Sequence, residues 1–478
     1  MMCLIVKFRI HPSSSMITQL LIFFSIVGPL TFGLQATDFY VHGLPLLPKG
    51  ASSIRMHAGL LPVNPQHNGS LFFWHFERKY ASDKLKTVIW LNGGPGCSST
   101  AGIWMGIGPF RFQDKNTMIE NDGSWHLHTN LLFVDQPVGT GFSTIDTDSF
   151  IHELDQMANQ FLGFLDQYIK IFPELLEDDI YLDGVSFAGQ YIPYIAKAIL
   201  EKRPALKLRG LLIGNGWIDP VTIYKSYLPF AVANNLVVQN SNLYERINIE
   251  VKQCEQALSK QVHVFEETFE AYNSTPSITL LPNLLLQIPI ILYSGEYDLI
   301  CNHWATEAMI DGMTWNDGTG FDFGNGTLSP KEQWIAEGES AGFIRRARNL
   351  TYILFYNAGH NVPYYYPRRS RFMLHEFIQL DLTSFTDTTT RKNTEESTRS
   401  RRYIAFIVLI VIIIILALTG LIWIFVHKWY PTRLLTPFSI IRVLRSRTRT
   451  VERQQWVAYS LLNDSDTDLE VVDSEAFV

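Results

Sequence analysis

Ile180-Tyr-Leu-Asp-Gly-Val-Ser-Phe-Ala-Gly-Gln-Tyr-Ile-Pro-Tyr-Ile-Ala-Lys-Ala-Ile-Leu200 opens as a buried-type strand and closes as helix-compatible sequence, with Ser186 at the change. A sharp strand-to-helix turn lifts a serine hydroxyl above the edge of a sheet, and it tolerates only small residues beside that serine. Gly184, Ala188 and Gly189 meet the requirement. The pattern is G-x-S-x-A, and taken alone a serine among small residues reads equally well as a plain turn. What surrounds it decides. Short apolar runs recur at Val88–Leu91, Leu131–Asp135, Ile180–Gly184, Gly210–Gly214, Ile290–Ser294 and Tyr352–Asn357. Continuous apolar strands separated by helix-length spacers predict a mostly parallel sheet covered on both faces, an α/β architecture. Phe150 to Phe172 reads as an amphipathic helix between two of them.

A serine nucleophile needs a base and an acid that orients it, both at later strand ends. Ile290–Ser294 runs into Gly295-Glu-Tyr-Asp298, and Tyr352–Asn357 runs into Ala358-Gly-His360. The chain order Ser186, Asp298, His360 is that of an α/β-hydrolase triad. His360 would deprotonate Ser186, and Asp298 would hold the imidazole tautomer. The oxyanion needs two backbone N–H donors. Phe187 follows the nucleophile, and Gly94 lies in Asn92-Gly-Gly-Pro-Gly-Cys-Ser-Ser99, directly after an apolar run. That loop lacks the Lys-Ser/Thr of a phosphate loop. No cofactor or metal is expected.

Composition bounds the alternatives. The chain has 478 residues, 47% hydrophobic and 18% charged, which is far too apolar for a disordered protein. A net charge of −7 argues against nucleic acid as a partner. Of four cysteines, Cys3 falls in a segment expected to be removed, leaving Cys97, Cys254 and Cys301. An odd number predicts one disulfide and one thiol in an oxidising compartment.

Two hydrophobic segments are not core. Lys7, Arg9 and His11 precede an apolar stretch that ends in small residues near Ala36, a secretory signal peptide over residues 1–36. Residues 403–426 form an uncharged run long enough to cross a bilayer as a helix. Lys428, Arg433, Arg442 and the arginines up to Arg453 outweigh the basic residues before the run, which predicts a cytosolic tail over 427–478. The domain at 37–382 is then lumenal, joined to the membrane by a flexible Thr/Ser-rich stalk at 383–402. Sequons at Asn68, Asn273, Asn325 and Asn349 all lie on the lumenal side. Tyr459-Ser-Leu-Leu462 resembles an endosomal or Golgi sorting signal that adaptors read.

Trp90-Leu-Asn-Gly-Gly-Pro-Gly-Cys-Ser-Ser99, Val134-Asp-Gln-Pro-Val-Gly-Thr-Gly-Phe-Ser143 and Gly214-Asn-Gly-Trp-Ile-Asp-Pro220 resemble the signatures of serine carboxypeptidases. Ser186, Asp298 and His360 match that family's catalytic positions, and the likeness covers roughly residues 38 to 380. With its leader, stalk, single helix and tail, the chain resembles the membrane-anchored branch of the family. This implies an α/β-hydrolase fold and removal of C-terminal Lys and Arg from peptides or proproteins in the late Golgi.

The resemblance also assigns substrate-binding positions to Asn92, Gly93, Cys301 and Asn361, and it pairs Cys97 with Cys254. Two positions depart from the family. Val185 replaces the acid of the usual G-E-S-Y-A-G, and Gly106 stands where relatives carry a second acid. In relatives those carboxyls share protons with the substrate's C-terminal carboxylate. Asn361 replaces the usual Met of the leaving-group pocket, and the stretch from Asp219 to Asp298, which forms the cap in relatives, is shortened. Three readings therefore stand: a carboxypeptidase, a triad esterase, amidase or acyltransferase without free-carboxylate recognition, and a membrane-tethered binding or sorting protein with weak turnover.

Overall fold

The computed structural model describes residues 34–48, 54–81, 84–260, 264–266, 269–271, 274–380, 386–387 and 420. The expected signal peptide before residue 34, the membrane segment apart from Gly420, the tail with its sorting motif, and Asn273 lie outside these residues. Among the described residues, no helix is long and apolar enough to cross a membrane.

The strands of the central sheet, in chain order, are β1 (Met56–Asn64), β2 (Gly69–Phe76), β3 (Lys86–Leu91), β4 (Asn130–Asp135) and β5 (Asp179–Ser186). After them come β6 (Lys207–Gly216), β7 (Ile290–Gly295), β8 (Glu332–Ala336), β9 (Glu339–Ala347) and β10 (Leu350–Phe355). Their spatial order is β1-β2-β4-β3-β5-β6-β7-β10-β9-β8. The six apolar runs of the sequence are the six contiguous parallel strands, β4 to β10 in that order. Antiparallel strands flank them, β1 and β2 on one side and β9 and β8 on the other. This is an α/β-hydrolase fold with a mostly parallel central sheet.

The lack of alternation in those strands follows from burial on both faces. Every residue of β3, β4 and β7 is buried. One face packs under α1 (Leu154–Ile171) and α2 (Ala188–Lys202), where Leu154, Met157, Phe161, Phe164 and Tyr168 meet Tyr191, Ile195 and Ile199. Helix α1 lies inside the predicted 150–172 interval, and its apolar residues fall at helical spacing. The opposite face gathers Trp90, Trp125, Phe133, Tyr293 and Phe355 with Met373 and Leu374 of a helix at Pro367–Phe377.

Between β6 and β7 the chain leaves the sheet to form α3 (Pro220–Ala233) and α4 (Asn242–Lys260). Asp219 caps α3 by accepting from Val221 N at 3.2 Å, and Pro220 supplies the first helical turn.

One expectation is corrected. Cys254 forms no disulfide, so the Cys97–Cys254 bridge is not present. Cys254 sits on α4, whose inner side packs on α3 through Tyr244 and Ile247, whereas Cys97 belongs to the loop beyond β3. Thr386 and Asp387, inside the stretch expected to be flexible, pair antiparallel with Ala81 and Tyr80.

Candidate active site

The functional residues gather at the carboxyl ends of adjacent parallel strands. Ser186 ends β5 at φ 64°, the left-handed region that an L-residue enters only where its surroundings enforce it. Phe187 then takes helical angles and α2 begins. Packing explains the small neighbours. A Cβ at Gly184 would lie 2.2 Å from Leu91 O, and one at Gly189 would lie 2.8 Å from Trp217 N. The elbow is pinned from beneath as Trp217 N donates to Ser186 O at 2.8 Å.

The glycine loop after β3 presses against the elbow. A Cβ at Gly93 would stand 2.3 Å from Phe187 N and 2.8 Å from Ser186 Cβ, so only glycine fits. Gly94 has φ +108°. Phe187 and Gly94, the two expected oxyanion donors, therefore belong to segments in direct contact. Asn92 is fixed twice: its N–H donates to Ser99 Oγ at 3.0 Å, and its Oδ1 accepts from Trp90 Nε1 at 2.6 Å. The second contact leaves the amide Nδ2 as the donating end.

Asp298 and His360 lie beyond the neighbouring strands β7 and β10. Asp298 is 2% exposed, and its Oδ2 accepts from His360 Nδ1 at 2.8 Å. The two loops are sewn together by hydrogen bonds. Tyr297 N donates to Ala358 O at 2.8 Å, and Asn357 N donates to Glu296 Oε2 at 2.9 Å. A Cβ at Gly295 would meet Gly359 O at 2.2 Å. Burial tends to lower the His360 pKa, but the charge and hydrogen bond of Asp298 prevail and hold it above the ordinary imidazole value.

Asp298 is more fully satisfied than the sequence reading foresaw. Its Oδ1 accepts from Ile300 N at 2.8 Å, and its Oδ2 also accepts from Cys301 N at 3.2 Å and Asn215 Nδ2 at 2.6 Å. Asn215, fully buried, returns its Oδ1 to Gly295 N at 3.2 Å. Nothing local in its Gly214–Pro220 motif assigns Asn215 this role. The available signal was its place at the carboxyl end of β6, where strand ends meet.

Cys301 is buried beside the pair. One ligand-type atom from each of Asp298, Cys301 and His360 falls within 4.8 Å of the other two, a set able to hold a metal ion, although His360 Nδ1 already engages Asp298. Asn361 Nδ2 donates to Met105 O at 2.9 Å. It thereby ties the histidine loop to the segment preceding Gly106. Val185 is buried in the apolar layer with Trp90 and Tyr293. An added Cβ at Gly106 would stand 2.8 Å from Gly102 O, so that position has no room for the family's acid without a backbone shift.

Among the sequons, Asn68, Asn325 and Asn349 are exposed in turns. Asn68 Nδ2 donates to Asp146 Oδ1 at 2.8 Å, and Asn349 Nδ2 donates to Leu285 O at 3.0 Å.

The serine carboxypeptidase family model matches residues 47–275 and 261–380. The pheromone-processing carboxypeptidase KEX1 of Chaetomium globosum is 40% identical over 438 residues, spanning 73% of this chain and 68% of that protein. Its Aspergillus fumigatus namesake is 42% identical over 436 residues, covering 73% and 69%. Among solved structures, the prohormone-processing carboxypeptidase KEX1(delta)p of Saccharomyces cerevisiae is 29% identical, with a TM-score of 0.66. That match covers 73% of this chain and 97% of the yeast one.

Proposed function

The chain belongs to the serine carboxypeptidase family, and from that premise we propose that Ser186, Asp298 and His360 are its catalytic triad. The activity is that of a serine-type carboxypeptidase acting on peptides or proteins.

One observation carries the residue assignment. The 2.8 Å contact from His360 Nδ1 to buried Asp298 fixes the tautomer and leaves Nε2 as the base. Ser186, on its strained elbow, attacks the carbonyl of the C-terminal peptide bond as Nε2 takes its proton. The N–H groups of Phe187 and Gly94 receive the developing oxyanion. His360 then protonates the leaving amine, and water attacking by the same route releases the acyl group. Asn92 Nδ2 and the Gly93 N–H receive the substrate's carboxylate without help from acids at 106 and 185.

The relatives are called pheromone- or prohormone-processing, which supports precursor peptides or proteins as substrates, and removal of C-terminal Lys or Arg follows from the family resemblance of the sequence. The leader at 1–36, the apolar run at 403–426 and the basic flank after it support a single-pass type I protein of the trans-Golgi network. Its catalytic domain, with a shortened cap, faces the lumen. Tyr459–Leu462 is then available to sorting adaptors.

The deciding experiment incubates purified full-length protein with a peptide library bearing free-acid or amide C-termini, with S186A as control. Stepwise C-terminal loss from free acids, absent in S186A, is the expected result. No loss between mildly acidic and neutral pH, while a fluorophosphonate still labels Ser186, would overturn the reading. Buried Val185 and crowded Gly106 favour a second one, an esterase or amidase without carboxylate recognition. Preference for amides and esters over free acids would select it.

A further inference from the structure

Asp135, at the end of β4, is completely buried although it is an acid. Leaving such a carboxylate unpaired is strongly unfavourable, so its donors indicate what it holds. Oδ1 accepts from Ser99 N at 2.7 Å, Ser98 Oγ at 2.8 Å and Thr100 N at 3.4 Å. Oδ2 accepts from Phe142 N at 2.9 Å. Three of the four donors come from the three residues that close the glycine loop. The fourth comes from the loop after β4, which approaches so closely that a Cβ at Gly141 would lie 2.2 Å from Oδ2.

The other end of the glycine loop is fastened to the same residues. Asn92 N donates to Ser99 Oγ at 3.0 Å, and Cys97 N donates to Gly93 O at 3.2 Å. Residues 92 to 99 thus form a closed ring resting on one buried carboxylate. Within the ring Gly94 and Gly96 have φ of +108° and +82°. Glycines of this kind have the largest backbone freedom to lose, and a fixed anchor at the ring's base confines them. Catalysis depends on that confinement, because misplacing a donor by about 1 Å costs roughly 100-fold.

We propose that Asp135 is a positioning residue for the reaction: acting through Ser98, Ser99 and Thr100, it sets the Asn92–Gly94 segment that receives the substrate carboxylate and the oxyanion. The inference rests on the reading above that Asn92, Gly93 and Gly94 bind the substrate.

The test compares wild type, D135N, S99A and S186A full-length protein on a free-acid peptide and the matching ester. Folded fraction is measured by thermal melting. Asn at 135 presents an N–H to Phe142 N or to the Ser98–Thr100 donors, so the ring loses its seat. S99A releases only Asn92 and leaves the buried carboxylate untouched, which keeps the test decisive if D135N does not fold.

The expected result is a fall of roughly 10–100-fold in kcat/KM per folded molecule. KM should rise more for the free acid than for the ester, in S99A as well as D135N. A lower Tm with kcat and the free-acid to ester ratio unchanged would mean a structural role only and would overturn the proposal. Turnover retained in S186A would instead refute the triad itself, whatever Asp135 does.

Discussion

Asn215 Nδ2 donates to Asp298 Oδ2 at 2.6 Å, the same oxygen that accepts from His360 Nδ1 at 2.8 Å. A side chain from the end of β6 thus aims the carboxylate that β7 carries toward the imidazole that β10 carries. The three strands are neighbours in the sheet, so the relay needs no long side chain.

Removing that partner tests the relay. N215A should reduce kcat by about tenfold or more, the scale of one hydrogen bond to a charged group. KM for an ester substrate should change little. Steady-state kinetics alongside a melting curve separate this from unfolding, and an unchanged kcat would show that Asp298 is oriented without Asn215.

The pH profile follows from the raised His360 pKa, caused by burial opposed and outweighed by Asp298. Only neutral imidazole accepts the Ser186 proton, so kcat/KM should rise with pH along an acid limb centred above 6.5. In D298N the limb should move down, with kcat about 10⁴-fold lower. Because Val185 and Gly106 hold no protons to share, the limb for a free-acid peptide should coincide with that for an ester. A separate alkaline loss of affinity confined to free acids would point to an acid acting in their place.

Gly93 allows a sharp steric test. The Cβ of G93A would come within 2.3 Å of Phe187 N, the proposed oxyanion donor after the nucleophile. Loss of one such donor costs about 10²–10³ in kcat. G93A should show that loss while retaining most of its helix signal in circular dichroism, since the clash is confined to the loop and the elbow.

Asp183 makes a prediction about stability. It is fully buried on the face shared with Val185, accepts from Tyr293 OH at 3.2 Å, and burial pushes its pKa well above the usual carboxylate range. The folded state therefore holds this proton more tightly than the unfolded chain. The resulting stabilisation is present below about pH 4 and is lost as pH rises toward the folded pKa. D183N removes the ionisation, so its Tm should exceed wild type at pH 7 and the difference should shrink on acidification. A gap that stays constant with pH would show that Asp183 does not titrate between the states.

The parallel strands, their hydrophobic faces and the order serine, aspartate, histidine were all legible in the sequence. Burial on both faces forces unbroken apolar runs, and the elbow admits only small residues at the positions two and three away from Ser186. Those are local constraints, written in consecutive residues. The remaining site depends on strand ends that adjoin in space and are far apart in the chain. Asn215 reaches Asp298 across 83 positions, and Ser99 reaches Asp135 across 36. No periodicity encodes such a contact, because it exists only once the sheet has set its strand order. The missing Cys97–Cys254 bridge has the same origin: the family resemblance suggests the pair, whereas pairing requires this fold to bring the two elements together.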